Sequence, residues 1–172
     1  MNRPNDSQTA EVSVELRTEG PAAWAAAVPG AQTVVREAAV AAWLAAGHSG
    51  AVELSVVLGN DALLRRLNHH YRGYDTPTNV LSFAMGDGLD AGTPRLAGDV
   101  VIAVETLLRE AEAQGKTPTE HLGHLVVHGV LHLAGLDHSE PAAANEMERM
   151  ETGVLASLGI KDPYLDGRDV AE

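Results

Sequence analysis

Val12, Val14 and Leu16 alternate with Ser13, Glu15 and Arg17, the two-residue period of a strand with one buried face. Pro21, Pro29 and Gly30 punctuate the next stretch of chain. From Ala31 to Ala46 the apolar positions Val34, Val35, Ala38, Ala39, Ala42 and Trp43 recur at helical spacing, and Gly47 stands where a helix closes. Ala51 to Leu58 is rich in β-branched residues and reads as a strand; Asn60 then caps a helix carrying Leu63, Leu64 and Leu67. Beyond Pro77 a short strand is expected over Asn79 to Ala84, with glycines, Asp87 and Asp90 marking a loop after it. Val100 to Val104 form another apolar strand and lead into a helix from Glu105 to Gln114. Thr117, Pro118 and Glu120 supply a cap, a first-turn proline and the partner of a capping box, opening a helix that runs to Ala134. Ser139 and Pro141 open a last helix, through Asn145 to Leu158, ended by Gly159.

This pattern contains no repeat and no linker, so residues 11–165 are expected to form a single domain between a disordered tail at 1–10 and a polar one at 166–172. A chain of 172 residues buries enough surface for a complete core without disulfides. No apolar run approaches the roughly 18 residues a membrane helix needs, and the polar start lacks the apolar stretch of a secretory signal; a cytoplasmic protein is expected. With no cysteine, any metal site must be built from histidine and carboxylate. The 24 acidic side chains outnumber 12 basic ones, for a net charge of −12, which argues against a general affinity for polyanions. Only a local reversal of that charge is compatible with a nucleic-acid substrate.

Five of the eight histidines fall between residues 121 and 138. His128 and His132 are four apart on the expected helix, so their rings share a face and converge on one ion. A helix that continued would carry His138 away, since six residues turn the chain by about 600° and raise it about 9 Å. Gly135 in a left-handed conformation stops the helix and returns His138 to the other two. The spacing His-x-x-x-His-x-x-Gly-x-x-His is that of metzincin zinc sites, in which three imidazoles leave a fourth position for water. Where those proteases place a glutamate base after the first ligand, this chain has Gly129. Three histidines then leave the ion's charge uncompensated, with no adjacent carboxylate to repel an anion, which suits a phosphate ester better than a peptide. His124 and His121 are expected to support the ligands or pack the helix face, Asp137 to orient an imidazole, assist proton transfer or hold the turn, and His48 to lie on the surface.

The most basic and aromatic stretch ends the second expected helix: Arg65, Arg66, His69, His70, Tyr71 and Arg72. Residues 60–80 hold three arginines against Asp61 and Asp75, whereas from Asp137 onward nine acids face three bases. Arg72 is the candidate for neutralising charge on a phosphoryl transition state, because guanidinium matches phosphate with paired donors. Arg65, Arg66 and Tyr71 are candidate substrate contacts, the ring by stacking on bases.

The segment HGVLHLAGLDH at 128–138 resembles the YbeY-type single-strand-specific endoribonucleases, supported by NHHYRGYDTPTNVLSF at 68–83, LAGDVVIA at 96–103 and EMERMETGVLASLGIKDPY at 146–164. Leu136 and Ala84 depart from the tyrosine and proline usual there. The resemblance implies an α+β domain, with a small mixed sheet of about four strands packed with helices and a zincin-like helix carrying the ligands. It implies one Zn²⁺ on His128, His132 and His138, with Arg72 matching the family's arginine. It further implies cleavage of single-stranded RNA in 3′-end maturation of small-subunit ribosomal RNA and in ribosome quality control, with ribosomal partners and no membrane. Two other expectations stand beside it: a ribosome assembly factor with structural zinc, and a metal hydrolase acting on something other than RNA.

Overall fold

The computed structural model describes residues 10–85 and 94–164. The terminal tails expected at 1–10 and 166–172, save Ala10, and the loop residues Asp87 and Asp90 lie outside the described residues. Four strands and six helices follow one another as β1 (Glu11–Thr18), α1 (Pro21–Ala27), α2 (Ala31–Ala45), β2 (Ala51–Gly59), α3 (Asp61–Arg72), β3 (Val80–Ala84), β4 (Arg95–Ala103), α4 (Val104–Gln114), α5 (Pro118–Leu133) and α6 (Pro141–Ser157).

The sheet has the order β1-β2-β4-β3; β1 and β4 run parallel to β2, and β3 runs antiparallel to β4. This is the mixed four-stranded α+β arrangement that the resemblance implies. Strand alternation divides the apolar residues between two faces. Val52, Leu54, Val56, Leu58, Val100 and Ile102 join the main core with α2 and α5, while Val101, Ala103 and Leu81 meet Leu64 of α3 on the other face. No described helix is long and apolar enough to cross a membrane.

Two elements differ from the pattern-based expectation. The sequence marks the α1 region only by punctuation, because its seven residues are mostly alanine with no amphipathic period; tertiary packing sustains the helix, with Trp24 only 2% exposed and its Nε1 donating to the carbonyl of Gly59 at 3.0 Å. β4 begins at Arg95 rather than Val100, and Val104 starts α4 instead of ending the strand. Arg95, Gly98 and Asp99 are poor strand formers alone, but β4 is paired on both sides and the ladders carry them.

α5 is buried along nearly its whole length between the sheet, α2, α4 and α6. Its start is the expected capping box: Glu120 N donates to the Thr117 hydroxyl at 3.1 Å, and Thr117 N to the Glu120 carboxylate at 3.3 Å. Gly129 sits where α5 crosses the sheet, and a Cβ there would lie 2.7 Å from Val100 Cγ1. The glycine that replaces the protease glutamate is therefore required by helix–sheet packing.

Candidate metal centre

At the end of α5 the amide of Leu136 donates to Leu131 O at 3.0 Å and that of Gly135 to His132 O at 3.1 Å, with Gly135 at φ 103°. These reverse bonds close the helix and turn the chain back. The His138 ring consequently lies 5.0 Å from that of His132 and 5.9 Å from that of His128, centroid to centroid. The Nε2 atoms of His128 and His132 are 3.1 Å apart. Two nitrogens each about 2.0–2.1 Å from one tetrahedral zinc are separated by roughly 3.3 Å, so this pair already has the spacing of a shared ion. Burial, and then the neighbouring His128 and His138, push the His132 imidazole down to about 4, so it is neutral and offers a lone pair at neutral pH.

His132 and His138, together with Asp137, present donor atoms all within 4.8 Å of one another. The Asp137 carboxylate, however, is engaged in its own turn. One oxygen accepts from the amides of His138 at 2.7 Å and Ser139 at 3.2 Å, and the other from the Ser139 hydroxyl at 2.7 Å. Those bonds, the Ser139 hydroxyl first, hold Asp137 below the usual carboxylate range. It braces the loop that presents His138.

Behind His128 stands Glu151 of α6, 1% exposed, whose carboxylate accepts from His128 Nδ1. Since Nδ1 donates there, Nε2 carries the lone pair that faces His132, which is the tautomer a metal requires. Burial alone would raise the Glu151 carboxyl, but the hydrogen bond from His128 and the nearby His124 imidazole hold it far below the ordinary range. Its second oxygen accepts from the Tyr164 hydroxyl. His124 Nε2 lies 3.9 Å from the same carboxylate. The expectation that no carboxylate stands near the site is thus corrected. Two do: Asp137 lines the cleft, whereas Glu151 is not among the lining residues and steadies the ligand and offsets ion charge from behind it.

A cleft of about 410 Å³ opens over the histidines and is lined further by Arg72, Asn79, Ser82 and His124. Arg72 is brought there from the last turn of α3, which Gly73 ends at φ 76°. Asn68, 6% exposed, anchors the loop beyond it by donating to Thr76 O at 2.9 Å.

The sequence profile of the Endoribonuclease YbeY family matches residues 25–159. Endoribonuclease YbeY of Paramagnetospirillum magneticum is 50% identical over 159 residues, which cover 89% of this chain and 97% of that one. The chain belongs to the YbeY family. The Rhodospirillum rubrum member is 48% identical over 161 residues, 87% of this chain and 80% of its own. The solution structure of TM1509 from Thermotoga maritima is similar at 21% identity and a TM-score of 0.49, over 86% of this chain and 91% of that chain.

Within this YbeY-family chain the fold gathers His128, His132, His138, Asp137, His124 and Arg72 around one cleft. Arg65 does not join them as expected. Its guanidinium forms a bidentate pair with Asp75, at 2.7 and 3.0 Å, outside the lining, because α3 turns it toward the following loop. Tyr71 is 62% exposed beside the cleft, its ring 4.9 Å from that of Phe83; neither it nor Arg66 is in the lining. His48 is not the plain surface residue expected, since its Nε2 reaches the carbonyl of Ala134 at 2.8 Å. Glu151 is absent from the residues that the motifs single out. Its signal in the sequence is that it interrupts the apolar stripe of Met147, Val154 and Leu155 on α6 with a charge.

Proposed function

We propose that this chain is a zinc-dependent, single-strand-specific endoribonuclease acting in the cytoplasm on the 3′ end of small-subunit ribosomal RNA and in ribosome quality control. The observation that carries the reading is the convergence of His128, His132 and His138 in a cleft that also receives Arg72, in a chain whose relatives are named endoribonucleases. A zinc ion held there supplies an activated water and positive charge against a phosphate oxygen. Glu151 fixes the His128 tautomer, and the Gly135 turn with Asp137 delivers His138. Arg72 binds the scissile phosphate with paired donors and stabilises charge gained in the transition state. Arg66 contributes charge along the approach, Tyr71 on Phe83 offers a ring for an unpaired base, and Arg65 supports the same segment through Asp75. The identity of the RNA and the ribosomal partners rest on the family resemblance.

A peptidase is disfavoured because Gly129 has no room for the glutamate base such a site uses. The test is a cleavage assay on single-stranded and duplex RNA, coupled to metal analysis. His128→Ala should lose zinc and cleavage together, and Arg72→Glu should lose cleavage while retaining zinc. Intact cleavage by a zinc-free His128→Ala protein would overturn the mechanism, and RNA binding without cleavage by zinc-loaded wild type would favour an assembly factor.

A further inference from the structure

The last carbonyls of a helix have no partner within it. At the end of α5 two of them are taken up by the Gly135 and Leu136 amides, and the carbonyl of Ala134 accepts from His48 Nε2, a bond spanning 86 residues of sequence. A carbonyl only accepts, so Nε2 carries the proton. The His48 ring is itself held, stacked on Trp43 with centroids 4.7 Å apart and planes 20° from parallel. Trp43 is 1% exposed and belongs to the core between α2 and the rest of the domain.

Ala134 is the point at which the chain leaves α5, two residues after His132 and four before His138. Beyond it Gly135, Asp137, His138 and Ser139 are all exposed, and the hydrogen bonds of Asp137 stay within the turn. Among the described residues, apart from Leu136, which rests on the core, the hydrogen bond that ties this turn to another element is the one from His48. We propose that His48 is a positioning residue of the metal centre: clamped by Trp43, it fixes the Ala134 carbonyl and so the exit direction of the turn that presents His138, thereby setting zinc affinity. The inference rests on the zinc reading above.

His48→Phe keeps an aromatic ring against Trp43 and removes the donor, whereas His48→Gln keeps a donor. Zinc affinity, read by competition with a chromophoric chelator, should fall about fivefold in His48→Phe, the equivalent of one neutral hydrogen bond. His48→Gln should recover part of the loss. The visible bands of cobalt-substituted protein should weaken in His48→Phe as His138 drifts, at an unchanged circular dichroism spectrum. Equal affinity and equal cobalt bands in wild type and His48→Phe would overturn the proposal, as would losses in His48→Gln as large as those in His48→Phe, since a retained donor would then restore nothing. Wild-type protein that takes up no zinc would overturn the metal centre itself, a separate failure from wild-type uptake matched by His48→Phe.

Discussion

Substituting Gly129 by alanine tests whether packing or chemistry dictates that position. The new Cβ would lie 2.7 Å from Val100 Cγ1 and 3.1 Å from both Val100 Cγ2 and Ser82 Oγ. Carbon atoms in contact prefer about 3.5–4.0 Å, so helix and strand must part by roughly 1 Å or Val100 must leave its rotamer. Val100 is fully buried, which closes the second route. Overpacking of this kind costs about 1–3 kcal/mol, against a helix-propensity gain of about 1 kcal/mol for glycine to alanine. The net loss is then about 1 kcal/mol, or about 3 °C in Tm for a domain of this size. The sharper test uses Val100→Ala, which removes the obstructing methyls and leaves a cavity. In that background Gly129→Ala fills space instead of colliding, so its effect changes sign, and the coupling should exceed about 1 kcal/mol. Urea titrations of the four proteins of the cycle measure it. If Gly129→Ala has the same sign and size in both backgrounds, the steric account of Gly129 is wrong.

Glu151→Gln preserves volume but removes the charge behind His128; zinc affinity by chelator competition should fall about 10- to 100-fold, and wild-type affinity would refute the role given to Glu151. Asp61 joins α3 to α4, accepting from Thr106 Oγ1 at 2.6 Å and from Arg109 at 2.8 Å. Partial burial would raise its carboxyl, but the Thr106 and Arg109 hydrogen bonds and the Arg109 charge outweigh this and lower it. The unfolded chain therefore binds the proton more readily, and the contribution of Asp61 is present above the unfolded value of about 3.9 and lost as pH falls through the folded one. Asp61→Asn should cost about 1 kcal/mol at neutral pH, with the gap to wild type closing in acid; a gap that widens on acidification, followed by chemical denaturation against pH, would contradict the sign.

Much of the scaffold is legible in the sequence because its signals are local. The α5 cap rests on Thr117 and Glu120 three residues apart, and the apolar periods of α2 and β2 each lie within one element. The features that escape such a reading depend on neighbours distant in sequence. α1 has no period of its own and persists through Trp24 against the end of β2, and the first half of β4 is strand because two others pair with it. Arg65 and Arg72 look alike in the sequence and differ only in where α3 and its following loop aim them.

The candidate ligand set was determined by the sequence alone, since two histidines one helical turn apart and a glycine before the third constrain geometry through covalent spacing. Which groups stand behind those ligands was decided only in three dimensions. Glu151 reaches His128 from α6, 23 residues away, and His48 reaches Ala134 from 86 residues away. Neither contact follows from a period or a motif; each exists because packing of α5 against α6 and α2 brings a donor to an acceptor. For the same reason Gly129, which the sequence showed only as a missing base, became intelligible when Val100 was found 2.7 Å from where its side chain would begin.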